Sequence, residues 1–199
     1  MVEQRECWEI LMREIFPSGK GFAVVYGEAG VGKTSLSLTL AGLIGKRTLY
    51  INTEGNPTYE RAIQVGVPSE IEFSDDSDEW GIILDILKVW GSKELIVVDS
   101  VNSIFRMSAS YNIEAAFRAF LFICSLLKSI SERAMVLATA QVSLSGDIPS
   151  GEEALKHYST VMVRLTRRGW KREGKVEVGG KFFGEYKLER GGFEWISCR

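Results

Sequence analysis

The stretch FAVVYGEAGVGKTSLSLTLA, residues 22–41, runs five apolar residues into a glycine-rich turn and then into a segment with apolar residues at helical spacing. The apolar run reads as a strand buried on both faces, as in parallel sheets. A helix is predicted from about residue 32 to residue 43. Between the two, GEAGVGKT, residues 27–34, fits G-x-x-x-x-G-K-[ST] and sits where that motif must sit, after a strand and opening a helix. The glycines let backbone N–H groups curl around a phosphate, and the helix N-terminus adds positive potential there. Gly27, Glu28, Ala29, Gly30, Val31, Gly32, Lys33, Thr34 and Ser35 are the candidate nucleotide contacts; Lys33 would reach the outer phosphates and the Thr34 hydroxyl would serve Mg2+. The competing reading is a tight strand-to-helix turn with no ligand.

Outward from this stretch, short apolar runs alternate with amphipathic segments, the pattern of βα units around a mainly parallel sheet. RTLYIN, residues 47–52, is the second strand, and Pro57 opens a short helix, at a position where its missing N–H costs nothing. IEF, residues 71–73, is a small strand, and the acidic residues 75–78 offer N-caps for a helix reaching about Trp90. LIVVD, residues 95–99, is a buried strand, followed by a helix over 113–131, a strand in AMVLATA, a loop over 143–151 and a short helix. From VMVRLTR, residues 161–167, onward, short strands separated by glycines predict antiparallel hairpins closing one sheet edge. The expected fold is α/β, with a parallel twisted sheet flanked by helices and antiparallel hairpin strands at the C-terminal end. It forms one domain over 1–199, with a helical extension in 1–20 and a hairpin region in 160–199.

Composition limits the function classes. The chain has 199 residues, 45% hydrophobic and 25% charged, enough for one well-buried core. A formal net charge of −2 provides no global basic field, so contact with nucleic acid would need a local patch. Cys7, Cys124 and Cys198 show no C-x-x-C pairing, and Cys124 lies inside AFLFICSLL; all three are expected to be packed thiols of a reduced intracellular protein. No apolar run approaches the roughly 20 residues that span a bilayer, and MVEQRECWEI carries no signal-peptide pattern. A soluble cytoplasmic protein without membrane contact is expected.

A magnesium ion on a triphosphate needs a second anchor, and Asp99 ends the apolar strand LIVVD as a Walker B aspartate does. Glu54 in TLYINTEG follows the second strand directly. If that strand neighbours the phosphate-loop strand, the carboxylate faces the terminal phosphate and can orient or deprotonate an attacking water. Kinases need no such group.

At these residues the chain resembles the RecA/RadA recombinase superfamily, in which a phrase like Y-I-D-T-E supplies the catalytic glutamate. VVDSVNSIFR resembles the family's Walker B segment, TAQV its T-N-Q-V, and GEEALKHYSTVMVRL its G-G-N-A-L-K-x-x-A-S-x-x-x-x-L; EYKLERGGFEWI looks like the last strands of the archaeal RadB-like RadA paralogues. The resemblance spans residues 22–196 and implies ATP with Mg2+. It makes Glu54, Lys33 and Gln141 the catalytic and sensing groups, Thr34 and Asp99 the metal's protein contacts, and Tyr59 an adenine-stacking ring, with packing of its short helix as the alternative. His157 reads as structural. The implied partner is a RadA-type recombinase, and the implied role is that of a weakly hydrolysing accessory factor in homologous recombination and repair, its site completed by cationic residues of a neighbouring subunit.

Single-stranded DNA contacts would fall on Arg106 in RMSASYN and on Arg167, Arg168, Lys171 and Arg172 in RLTRRGWKREGK. The competing reading of that run is a solvated hairpin face. The other expected DNA loop, SLSGDIPSG, holds no lysine, arginine or aromatic ring and carries Asp147, which argues against strand exchange by this chain alone. Two alternatives share the same nucleotide residues: a non-hydrolysing ATP-gated binding module and a KaiC-like signalling ATPase.

Overall fold

The computed structural model describes residues 4–55, 57–76, 78–142, 148–169 and 172–199. The first strand, β1 (Gly21–Gly27), leads through the phosphate loop into helix α2 (Lys33–Ile44); before it lies α1 (Gln4–Ile15). Then come β2 (Thr48–Asn52), α3 (Pro57–Val65), β3 (Glu72–Asp75), α4 (Glu79–Lys88), β4 (Leu95–Asp99), α5 (Ser103–Ser108), α6 (Ile113–Ile130), β5 (Met135–Gln141) and α7 (Glu152–Tyr158). Four strands finish the chain: β6 (Val161–Arg167), β7 (Glu173–Val178), β8 (Lys181–Glu189) and β9 (Gly192–Cys198).

All nine strands form one sheet in the order β3-β2-β4-β5-β1-β6-β7-β8-β9, parallel from β3 to β6 and antiparallel from β6 to β9. The expected fold class is therefore the observed one. One detail is corrected: β2 does not neighbour β1, because β4 and β5 lie between them. Crossovers between parallel strands are right-handed, so their direction across the sheet decides which face the helix covers. The chain moves outward from β1 to β2 to β3, then turns back through β4, β5 and on to β6. Helices α2 and α3 accordingly pack on one face with Leu36, Leu40 and Ala62, and α4, α6 and α7 pack on the other with Ile82, Phe120, Leu127 and Leu155. Returning strands have to fill the gap left beside β1, which separates it from β2.

Alternation in β4 shows the double burial directly. Leu95 and Val97 face the α2 side while Ile96 and Val98 face the α6 side. Each such side chain contributes about 1.5–3 kcal/mol on burial, so the central strands anchor both layers. Local chemistry agrees at the helix starts: Asp78 accepts a bond from the Gly81 amide at 2.9 Å, and Asn112 accepts one from the Ala115 amide at 3.1 Å. Helix α5 stands where the sequence suggested only loop.

The cysteine expectation is also corrected. Cys7 of α1 and Cys198 of β9 form a disulfide across 191 positions, with Cα atoms 5.8 Å apart; only Cys124 remains a buried free thiol. The pairing follows from packing that the sequence does not display. Trp8 sits 5.5 Å from Phe193 and 5.3 Å from Trp195, and Gln4 bonds both the N–H and the C=O of Trp195, which brings the two thiol positions together. Among the described residues no helix is long and apolar enough to cross a membrane.

Candidate nucleotide site

Two glycines shape the phosphate loop. A Cβ at Gly27 would run into the carbonyl of Leu165 on β6, and one at Gly32 would collide with the Leu188 side chain of β8; both carry positive φ, 156° and 99°. Val31 turns inward and its carbonyl accepts the Tyr186 hydroxyl of β8 at 2.6 Å, fixing the loop from behind. Burial pushes the Tyr186 phenol well above its usual pKa.

Ala29, Gly30, Gly32, Lys33, Thr34 and Ser35 line a cavity of about 650 Å3. Gly27 and Glu28 instead face a smaller space of about 190 Å3 between the loop and β6. Lys33 folds back over the loop, its Nζ donating to the carbonyls of Gly27 at 2.9 Å and Glu28 at 2.8 Å. Burial pushes the Lys33 ammonium below its usual pKa, against the opposing pull of Glu54 and Asp99. An ammonium held this way is short of counter-charge and suited to an anionic ligand.

Glu54 lies two residues beyond β2 and opens onto the same cavity. Three bonds carry it there although two strands, β4 and β5, lie between β2 and β1. The Thr53 amide donates to the Asp99 carbonyl at 2.8 Å, the Ser100 amide donates to Thr53 Oγ1 at 2.8 Å, and the Glu54 amide donates to Asn52 Oδ1 at 3.1 Å. Its carboxylate Oε1 accepts from Ser100 Oγ at 2.9 Å and from Gln141 Nε2 at 2.6 Å. Gln141 ends β5 in register with Gly27 of β1. Asn102 bonds both its N–H and its C=O, and Arg106 Nη1 donates to its Oε1 at 3.0 Å. Arg106, a candidate DNA contact by sequence, thus orients the Gln141 amide.

Asp99 is buried behind the cavity wall. Tyr50 donates its hydroxyl to Oδ2 at 2.7 Å, and Thr139 donates to Oδ1. Tyr50 is fully enclosed; burial first, and the Asp99 charge second, raise its pKa well above normal. The oxygen donors Thr34, Glu54 and Asp99 are chemically suited to Mg2+, which prefers few protein ligands and keeps phosphate and water for the rest. Among the described residues no cluster of three or more His, Cys, Asp or Glu could hold a metal alone.

Tyr59 packs elsewhere: its ring lies 5.4 Å from Phe73 and its hydroxyl donates to Asp75 Oδ2 at 3.0 Å, outside the cavity lining. His157 stands edge-on to Tyr158 at 4.8 Å. The basic hairpin run divides between several surfaces. Arg167 and Arg172 line the same cavity as Lys33, Arg168 pairs with Glu185 at 3.3 Å, and Lys175 sits 5.9 Å over the Phe182 ring. Lys171 and Trp170 lie outside the described residues, as does the part of the expected DNA loop holding Asp147.

Sequence reasoning missed several participants. Arg61 of α3 donates from Nε to Ser35 Oγ at 2.7 Å and from its Nη atoms to Gln64 Oε1 and to the carbonyls of Glu189 and Arg190. Ser100, immediately after Asp99, also holds Glu54. Their partners are distant in sequence, and only the sheet order brings them together.

No protein-family model matches the chain, and no curated protein matches it. Among solved structures, the crystal structure of the RadB recombinase superposes with a TM-score of 0.70 and 20% sequence identity, covering 94% of this chain and 96% of that one. At that identity the likeness is one of fold, and over nearly its whole length this chain has the RecA-type fold of the RadB recombinase.

Proposed function

We propose that the protein is a RadB-like, Mg2+-dependent ATP-binding factor that hydrolyses ATP slowly and acts in homologous recombination and repair by modulating a RadA-type recombinase in the cytoplasm. One observation carries this reading. The Glu54 carboxylate opens on the cavity lined by Lys33 and Thr34, and Ser100 and Gln141 hold it there through one oxygen. Among the described residues the second oxygen, Oε2, has no hydrogen-bond partner and can accept a proton from water. The loop amides and Lys33 would bind the phosphates, with Lys33 exchanging its two loop carbonyls for phosphate oxygens. Thr34 and Asp99 would hold Mg2+, which would supply charge neutralisation on the outer phosphates. Gln141 would report the terminal phosphate to Arg106 and α5, since its amide touches both Glu54 and Arg106.

That last contact also favours the second reading, an ATP-gated binding module in which the nucleotide only orders an interface. Phosphate release by wild type and Glu54→Gln separates the two. Hydrolysis by the proposed route predicts a drop of about 10²–10⁴-fold with ATP affinity retained. Equal rates contradict the base assignment. Capture of a RadA-type recombinase with and without ATP tests the partner: capture that ignores ATP, or is lost altogether, removes the recombination role.

A further inference from the structure

The hairpin end of the sheet brings cations to the nucleotide cavity. β6 runs parallel to β1 and ends at Arg167 beside the phosphate loop; β8 ends on the same side and is followed by Arg190. Arg167, Arg172 and Arg190 line the cavity together with Gly30, Lys33 and Thr34. The backbones of Arg172 and Arg190 are held in place. Leu188 occupies the space beside Gly32, its amide donates to the Arg172 carbonyl at 2.7 Å, and Arg61 bonds the carbonyls of Glu189 and Arg190. Counting Lys33 and Arg61, among the described residues five cationic side chains meet two carboxylates, Glu54 and Glu189, on the lining. Burial lowers the Arg61 pKa, and the nearby Arg172 charge lowers it further. Like charges gathered around a cavity favour a multiply charged anion at its centre.

Resemblance to the recombinases implies finger cations from a neighbouring subunit; here arginines of the chain itself line the cavity. We propose that Arg172, immediately before β7, and Arg190, after β8, neutralise the polyphosphate in cis and are the specificity-determining residues that favour a nucleoside triphosphate over a mono- or diphosphate. The proposal rests on the nucleotide reading of the cavity. Both side chains are exposed and their structural bonds run through backbone atoms, so truncation leaves the fold intact.

The test is fluorescence titration of full-length protein with labelled ATP, ADP and AMP, repeated over a tenfold range of protein concentration. The expected result is ATP binding at least tenfold weaker in the Arg172→Ala/Arg190→Ala variant, with a smaller loss for ADP and almost none for AMP. Arg172→Lys should retain most of the ATP affinity, and wild-type affinity should not depend on protein concentration. Unchanged ATP binding by the double variant overturns the proposal, as does wild-type affinity that rises with protein concentration. Lys33→Ala separates the two levels: lysine-dependent binding that ignores the arginines sinks only the cis assignment, whereas wild type without nucleotide affinity sinks the nucleotide reading as well.

Discussion

Glu54 is held by side chains at the ends of three strands, and of these only Gln141 was singled out from the sequence. Ser100 follows β4, Gln141 ends β5 and Asn52 ends β2, yet all three bond within two residues of the carboxylate. Behind them Tyr50 links Ser37 of α2, at 2.8 Å, to Asp99. Tyr50→Phe would leave Asp99 Oδ2 without this donor in a closed environment, at a cost of about 1–3 kcal/mol. Chemical denaturation should show that loss; a stability within about 0.3 kcal/mol of wild type would mean that the hydroxyl bond is not needed. A second titrating site lies at the far edge of the sheet. Burial, aided by the Asp85 charge, pushes the Asp76 carboxyl up to about 6, and among the described residues its Oδ2 is buried without a hydrogen-bond partner. A raised acid pKa means that the folded state holds the proton more tightly than the unfolded state. The resulting stability is present below about pH 4 and is lost as pH rises through about 6. Asp76→Asn should therefore leave the Tm unchanged near pH 4 and raise it by about a degree or two at pH 8, the small size reflecting solvent screening. Thermal melts at the two pH values check the sign, and a larger gain at low pH would contradict it.

At the scale of elements, the phosphate loop and the buried strands were legible because their determinants are local. LIVVD and VMVRLTR coincide with β4 and β6, and GEAGVGKT lies between β1 and the first turn of α2. Strand order was not legible in the same way. β2 and β1 are separated because the chain reverses its direction across the sheet after β3, and no local residue pattern specifies that reversal. The water-activating role assigned to Glu54 assumed neighbouring strands; the observed path instead carries the carboxylate to the cavity through the loop after β2 and its bonds to Ser100 and Gln141. The hairpin shows the same limit. Along the sequence Arg167, Arg168 and Arg172 form one basic run, whereas strand alternation and the turn send Arg168 to Glu185 and the other two to the cavity. Removing the Arg168–Glu185 pair by Arg168→Ala should change stability by less than about 1 kcal/mol, as for other exposed ion pairs, and leave ATP affinity unaltered. A nucleotide titration in which Arg168→Ala matches the loss expected for Arg172→Ala would show that the face assignment is wrong.

Over the whole molecule, the Cys7–Cys198 bond joins the first helix to the last strand and closes nearly the full chain into a loop. Closing so long a loop limits the unfolded ensemble, with an expected stabilisation of about 2–5 kcal/mol. Reduction with dithiothreitol, or Cys198→Ser, should lower the Tm by several degrees while leaving nucleotide binding in place, because the bridge lies among Trp8, Phe193 and Trp195 rather than on the cavity. The free thiol of Cys124, which burial pushes up to about 12, should remain unreactive in the folded protein. Both layers of the fold converge on one arrangement: the α2 layer presents Lys33 and Thr34, and the strands running to the α6 layer present Ser100 and Gln141 to Glu54. The most direct test is a crystal structure of the protein with Mg2+ and a non-hydrolysable ATP analogue. The account predicts the terminal phosphate within hydrogen-bond reach of Lys33 Nζ and a water between it and Glu54. Phosphates outside the loop, or a Glu54 carboxylate turned away from them, would contradict it.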